Sequence, residues 1–195
     1  VEKPVFEAKN RDSYFLCKII TKELEKVYKV ETFPRDNIMS DLATVLEDPC
    51  DKIIIRTDVK HFFESIPRQQ LLQKIGSDGI VCNKTLKLLR RLDYDLSDNK
   101  FPIGIPRGLS FASVLSEIYL RDIDRRINQI KGLYFYRRFV DDIIIIANYN
   151  AAGNNLEELI SEINKFFKDK ELELHNESDK DNKFYCKALK YGQDD

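Results

Sequence analysis

Residues 136–146 read Tyr136-Arg137-Arg138-Phe139-Val140-Asp141-Asp142-Ile143-Ile144-Ile145-Ile146, so two adjacent aspartates separate an aromatic segment from four isoleucines. Both flanks favour β-strands, and consecutive isoleucines are typical of a strand buried on both faces. An acidic pair between two strands predicts a tight hairpin turn. Adjacent carboxylates beside a buried strand are costly unless they bind a cation, although a solvated Asp-Asp turn is an equally simple interpretation.

A second apolar strand also ends on an aspartate, in Lys52-Ile53-Ile54-Ile55-Arg56-Thr57-Asp58. Helical patterns follow at 67–75, 83–91, 109–130 and 156–167, and further strands are predicted at 133–139, 143–148, 172–174 and 184–189. The order β-α-β-β-α-β predicts an α+β fold of the ferredoxin-like type.

This topology determines where the aspartates lie. With strand order 4-1-3-2, the first and third strands are antiparallel neighbours at the centre of the sheet, so Asp58 is expected beside Asp141 and Asp142. Three converging carboxylates would repel one another and raise each other's pKa. With two Mg²⁺ ions they would form a clamp for in-line phosphoryl transfer.

Three motifs resemble those of the reverse transcriptase family, in the family's order. Phe139-Val140-Asp141-Asp142 resembles the aromatic-x-Asp-Asp motif, and Asp58-Val59-Lys60-His61-Phe62-Phe63-Glu64-Ser65-Ile66 resembles the Asp-Ile-x-x-Phe-Phe-x-Ser-Ile form of bacterial retron and group II intron enzymes. Gly104-Ile105-Pro106-Arg107-Gly108-Leu109-Ser110, with the helix after it, resembles the loop-plus-helix motif between them. The resemblance covers roughly residues 30–190.

The resemblance implies a role for each matching residue. Asp58 and Asp141 would be the principal ligands of both metal ions, Asp142 would complete the triad, and the Val59 carbonyl would touch the nucleotide-bound metal. Phe63 would lie under the sugar and exclude a 2′-hydroxyl, unless its ring is simply part of the core.

The implied cofactor is Mg²⁺, two per site, with Mn²⁺ as an alternative. The implied partners are an RNA template, a DNA primer and product, and dNTPs. The nucleotide-binding set would be Phe63, Arg107, Gly108 and Arg56, where Arg56 has a solvated strand position as its alternative.

The middle motif departs from the family pattern. The family has Pro-Gln-Gly followed by Ser-Pro, and this chain has Pro106-Arg107-Gly108 followed by Ala112-Ser113. The guanidinium of Arg107 would suit phosphate. The change resembles divergent bacterial enzymes of phage defence and abortive infection, some of which prime on protein or polymerise without a template.

Two lone cations complete the candidate site. Lys180 is the nearest match to a family lysine proposed to protonate pyrophosphate, and Arg35 is a candidate triphosphate contact from the fingers. A solvated loop lysine and a turn before a helix starting at Ile38 are the simpler interpretations.

Composition sets limits on these expectations. The chain has 195 residues, 43% of them hydrophobic, and a net charge of −1, which is low for a protein that binds nucleic acid. Residues 1–51 are predicted to be partial fingers and 52–195 the palm, with a fingers-like helical insertion at about 67–100. No thumb is recognised, so the chain is expected to be part of a longer protein and weakly active or inactive alone.

Sequence features outside the motifs bear on location. Four scattered cysteines, no signal peptide and no run of 18 apolar residues predict an intracellular protein without a membrane partner, and the resemblance implies a bacterial, cytoplasmic one. The oligomeric state is not predicted.

Three other functions remain open. An RNA-dependent RNA polymerase shares the palm aspartates, but Phe63 argues against it. A palm-type nucleotidyl cyclase would show a Gly-Gly acidic turn, which the sequence lacks. An inactive palm that serves as a binding module would be expected to lose the acids.

Overall fold

The computed structural model describes residues 5–30, 34–98, 101, 103–149, 156–179 and 183–190. The helices are α1 (Arg11–Tyr28), α2 (Arg35–Glu47), α3 (Phe62–Ser65), α4 (Arg68–Asp78), α5 (Asn83–Asp98), α6 (Ala112–Ile127) and α7 (Leu156–Lys168). The strands are β1 (Lys52–Asp58), β2 (Leu133–Phe139), β3 (Asp142–Asn148) and β4 (Tyr185–Leu189).

The four strands form one antiparallel sheet in the order β2-β3-β1-β4. This is the predicted order, and the predicted central pairing of the first and third strands is confirmed. Alternate residues of the two central strands are buried, among them Ile53, Ile55, Ile143 and Ile145. On the other face Ile146 is fully buried, Ile144 is half-buried and Arg56 is exposed, so this face is covered away from the aspartates and open near them.

The chain divides into two compact units. Unit one comprises Val1–Glu31 and His61–Arg121, and unit two comprises Thr32–Lys60 and Asp122–Asp195. The core of unit two combines the buried sheet face with the inward residues of α7, namely Leu159, Ile163, Phe166 and Phe167. The core of unit one comes from helices α1, α4, α5 and the first part of α6. The boundary drawn from sequence between fingers and palm stays a prediction.

Several predicted boundaries are wrong. α2 begins at Arg35 rather than Ile38, because Pro34 precedes the first turn and needs no hydrogen-bond acceptor there. The long helix is shorter than predicted and runs from Ala112 to Ile127, since 109–111 form a turn. Of the strand predicted at 172–174, only a bridge between Leu174 and Val59 forms.

Helix α1 was not predicted. Asn10 caps its N-terminus by accepting a hydrogen bond from the Ser13 N–H, at 2.8 Å. Its buried stripe is Ile20, Thr21, Leu24 and Tyr28, whereas Tyr14, Phe15 and Ile19 are exposed. Apolar residues on both faces hide the helical period in the sequence.

Candidate active site

A two-residue turn joins β2 to β3, and the acidic pair spans the end of this turn and the first residue of β3. Phe139 pairs with Asp142 across the hairpin, which leaves Val140 and Asp141 at the turn. Val140 has φ of 59°, a left-handed conformation that is costly for a β-branched residue. The turn is held in this conformation by its surroundings.

A buried ion pair supports the turn from below. The Arg138 guanidinium donates to the Val140 carbonyl at 2.8 Å and pairs with Asp124 of α6 at 2.9 Å, and only 5% of its side chain is exposed. The Tyr136 hydroxyl donates to the same carboxylate. Burial and the Asp124 charge raise the pKa of Tyr136 well above its usual range. This support was not predicted from the sequence, because Asp124 lies in a different element from Tyr136 and Arg138.

The end of β1 lies beside this turn, as predicted. Asp58 is the register partner of Asp142, and the Val59 N–H donates to the Asp141 carbonyl at 3.2 Å. The backbone thus joins all three aspartates at one end of the sheet. Residues 58 and 141, separated by 83 positions, are brought together as the sequence analysis expected.

The three carboxylates experience each other's charge. Burial raises the pKa of Asp141, and the negative charges of Asp58 and then Asp142 raise it further. One oxygen of Asp58, Oδ1, is buried and has no hydrogen-bond partner. A hard cation would give the buried Asp58 oxygen a partner and would stabilise the ionised form of Asp141. The three carboxylates therefore form a donor set that fits Mg²⁺.

Two side-chain cations neutralise this cluster in the structure. Lys183 Nζ lies 3.4 Å from Asp58 Oδ2, and Arg56 Nη2 lies 3.2 Å from Asp142 Oδ1. Within the part of the chain that the structure describes, no three acidic, histidine or cysteine side chains already stand as a ligand set for a metal ion. Ion binding would therefore require Lys183 and Arg56 to release Asp58 and Asp142.

The segment 173–179 fixes the end of β1. The His175 N–H donates to the Asp58 carbonyl at 2.9 Å, and Thr57 Oγ1 donates to the His175 carbonyl at 3.0 Å. The Lys60 ammonium bridges Glu173 and Asp179 at 2.9 and 3.0 Å. These contacts hold Asp58 in place without using its carboxylate.

The predicted lysine, Lys180, lies outside the described residues. Lys183, three positions later, is described and contacts Asp58. The spacing in the sequence favoured Lys180. The pairing of β1 with β4 brings the chain back beside β1 just after Lys183, which explains why Lys183 reaches Asp58.

Arg35 and Arg56 line one cavity with Asp142. The cavity has a volume of about 250 Å³ and an apolar floor from α2 and β3. The Arg35 guanidinium lies 5.9 Å from the centre of the Phe139 ring. Both arginines are therefore near the acidic turn.

The other predicted residues belong to unit one. Phe62 is buried and Phe63 is half-buried, which confirms that one of the two rings faces inward. Arg107 stacks on the Phe63 ring at 5.3 Å from its centre. Gly108 has φ of 97°, and a Cβ there would come within 2.4 Å of the Phe6 carbonyl, so the loop requires glycine.

Arg68 holds the backbone at Phe101 and at Gly104. Only 2% of its side chain is exposed, and its guanidinium donates to the Asp93 carboxylate at 2.6 Å and to the carbonyls of Gly104 and Phe101 at 2.7 and 3.0 Å. This buried side chain was not singled out in the sequence.

Replacing Arg68 with Met is expected to destabilise the protein by about 3–5 kcal/mol, because a partly buried carboxylate and two carbonyls lose their buried cationic partner. Urea unfolding measures the change. The matched control is Arg91→Met, which breaks an exposed pair with Asp95 and should cost less than about 1 kcal/mol. An equal loss of unfolding free energy in the two variants would show that the contacts of Arg68 stabilise the fold no more than an exposed ion pair does.

No helix among the described residues has both the length and the apolar composition needed to cross a lipid bilayer.

Comparison with known proteins identifies the family. The family model for reverse transcriptase (RNA-dependent DNA polymerase) matches residues 8–182, and a search of curated proteins finds no match. Among solved structures, telomerase from Candida albicans in complex with the TWJ fragment of telomeric RNA is similar in fold, with a TM-score of 0.59 and 11% identity.

That comparison covers 92% of this chain and 34% of the telomerase chain, so this chain spans about a third of its neighbour's length. The family match covers the acidic hairpin, β1 and the loop at 104–108 in one continuous segment. On this evidence the chain belongs to the reverse transcriptase family.

Proposed function

We propose that the chain is the catalytic part of an RNA-directed DNA polymerase that adds dNTPs to a primer 3′-hydroxyl. The observation that carries this proposal is the pairing of Asp58 with Asp142 beside Asp141, inside the segment that matches the family. The solved telomerase relative is an RNA complex, which is consistent with an RNA template for this chain.

Asp58, Asp141 and Asp142 would hold two Mg²⁺ ions, with Mn²⁺ as a substitute. When bound, such ions polarise the primer hydroxyl and neutralise charge on the leaving pyrophosphate. The chain's own contribution is to hold three carboxylates at one end of a rigid sheet, so that little reorganisation is needed during the reaction. The Val59 carbonyl is the backbone ligand that the resemblance implies.

Lys183 and Arg56 have a supporting role in this proposal. Both neutralise the aspartates before ions bind, and both are long side chains that can swing away. Once released, each is a cation near the reacting phosphates. Lys180 and Arg35 keep the roles suggested by the resemblance, on pyrophosphate and triphosphate.

In unit one, Phe63 is proposed to exclude the 2′-hydroxyl, and Arg107 with Gly108 to face the nucleotide. The fingers are proposed to include residues 1–51 and the palm residues 52–195. The chain is proposed to come from a bacterial, cytoplasmic enzyme of the phage-defence or retron-like kind, since its middle motif departs from the usual form.

Arg107 also favours a second candidate function. The usual glutamine is neutral, whereas Arg107 is charged and ion-paired with Glu64. Because Arg107 replaces the usual glutamine, its contact with the templating base would differ. This difference favours template-independent or protein-primed DNA synthesis of the abortive-infection type.

Primer extension by the full-length protein separates these candidates. An RNA template with a DNA primer should direct incorporation of the complementary dNTP only, in Mg²⁺ or Mn²⁺. Incorporation of all four dNTPs regardless of template would favour the second candidate. Incorporation of NTPs but not dNTPs would identify an RNA polymerase and contradict the proposal.

A further inference from the structure

Glu64 and Arg107 form an ion pair against the ring of Phe63. Arg107 Nη2 lies 3.1 Å from Glu64 Oε1 and 3.3 Å from Oε2, and both side chains are partly buried, at 35% and 23% exposure. The guanidinium carbon is 5.3 Å from the centre of the Phe63 ring, which is within the range of a cation–π contact.

The ring of Phe63 also contacts a buried neighbour, Phe62. Phe62 is buried and meets the Phe63 ring edge-on, with centres 5.0 Å apart and planes at 61°. Because Phe62 is buried in the core and does not move, the position of the Phe63 ring depends on its contact with Arg107. Arg107 in turn is oriented by Glu64.

The backbone around this pair is tightly held. The Ile105 N–H donates to the Phe63 carbonyl at 2.7 Å, and the Gly104 N–H donates to the Ile66 carbonyl at 3.1 Å. A Cβ on Gly104 would come within 2.9 Å of the Glu64 Cα. Because the backbones of α3 and the loop are fixed to each other, the position of the Arg107 guanidinium depends on its side-chain contacts.

The Arg107 side chain is held in place at some cost. Its Nε is buried and has no hydrogen-bond partner. Buried donors without partners are rare in proteins and mark side chains that other contacts hold. Here those contacts are the Glu64 carboxylate and the Phe63 ring.

We infer that Glu64 is a positioning residue that holds Arg107 against Phe63 and thereby sets the discrimination between deoxyribose and ribose. This inference rests on the proposed function, in which Phe63 excludes the 2′-hydroxyl. In this inference Arg107 does not bind the nucleotide phosphates, because its guanidinium is ion-paired with Glu64.

Removing the Glu64 charge should release Arg107 from the ring. Glu64→Gln is expected to reduce the ratio of kcat/KM for a dNTP to that for the matching NTP by about tenfold, the scale of one charge-assisted contact. Most of the change should come from a lower KM for the NTP, with kcat for the dNTP little altered. Glu64→Asp keeps the charge and should restore part of the ratio.

The matched control is Asp95→Asn in the full-length protein. Asp95 pairs with Arg91, which itself lies 5.5 Å from the centre of the Tyr94 ring on an exposed part of α5. This variant removes the same kind of contact away from Phe63 and should leave the ratio unchanged. A ratio unchanged by Glu64→Gln, or an equal loss for both nucleotides, would overturn the inference.

Unfolding tests the ion pair without any activity. A double-mutant cycle of Glu64→Gln and Arg107→Gln should show coupling of about fivefold in the unfolding equilibrium constant. Independent effects would overturn the inference even in an active enzyme. If the wild-type protein incorporates no dNTP while coupling is present, the proposed function fails and the positioning contact stands.

Discussion

Replacing both aspartates of the β2–β3 hairpin, Asp141→Ala with Asp142→Ala, is expected to lower dNTP incorporation by the full-length protein by about a thousandfold or more. The two side chains provide most of the oxygen ligands proposed for the metal ions, and the loss of several kcal/mol of charge stabilisation corresponds to that factor. Steady-state primer extension in Mg²⁺ measures the loss.

Loss of activity through unfolding is not expected for this variant. Burial and neighbouring charge raise the pKa of Asp141, so its ionised form destabilises the folded chain, and the variant should unfold no more easily in metal-free buffer. The matched control is Glu157→Ala with Glu158→Ala, an adjacent acidic pair exposed on α7. Retained activity in the first variant would contradict the metal assignment.

Phe63→Val is expected to admit ribonucleotides, lowering the preference for dNTP over NTP by on the order of a hundredfold, the scale on which an apolar wall rejects an added hydroxyl. The half-buried ring would be replaced by a smaller side chain that leaves room beside the sugar. Competition between a dNTP and the matching NTP on one template measures the preference.

Tyr94→Val is the matched control, since Tyr94 is an exposed aromatic residue that an arginine also covers. Its preference should equal that of the wild-type protein. Unchanged sugar selectivity in Phe63→Val would remove Phe63 from the proposed site and leave it as a packing residue.

Much of the sheet was predictable because its signals are local. Strands β1 and β3 are runs of isoleucine that end or begin at aspartate, and the short gap between the strands predicted at 133–139 and 143–148 predicts a hairpin. The element order then determined which strands are neighbours. The pairing of Asp58 with Asp142 followed from that order and is confirmed.

The supporting contacts were not predictable for the same reason. Asp124 and Arg138 lie in different elements, as do Glu64 and Arg107, and nothing in their local sequence shows that they meet. Helix α1 was not predicted because Tyr14, Phe15 and Ile19 on its exposed side obscure the helical period of its apolar residues. These ion pairs and the burial of α1 depend on tertiary packing, which the pattern of a single sequence does not reveal.

Crystals of the full-length protein grown with Mn²⁺ and a dNTP, measured at the manganese absorption edge, test the metal cradle most directly. We predict two manganese peaks at the shared end of β1 and β3, at least one of them bridging the carboxylates of Asp58 and Asp141. Lys183 should then lie away from Asp58. Peaks elsewhere, with Asp58 still paired to Lys183 and sharing no ion with Asp141, would contradict the account.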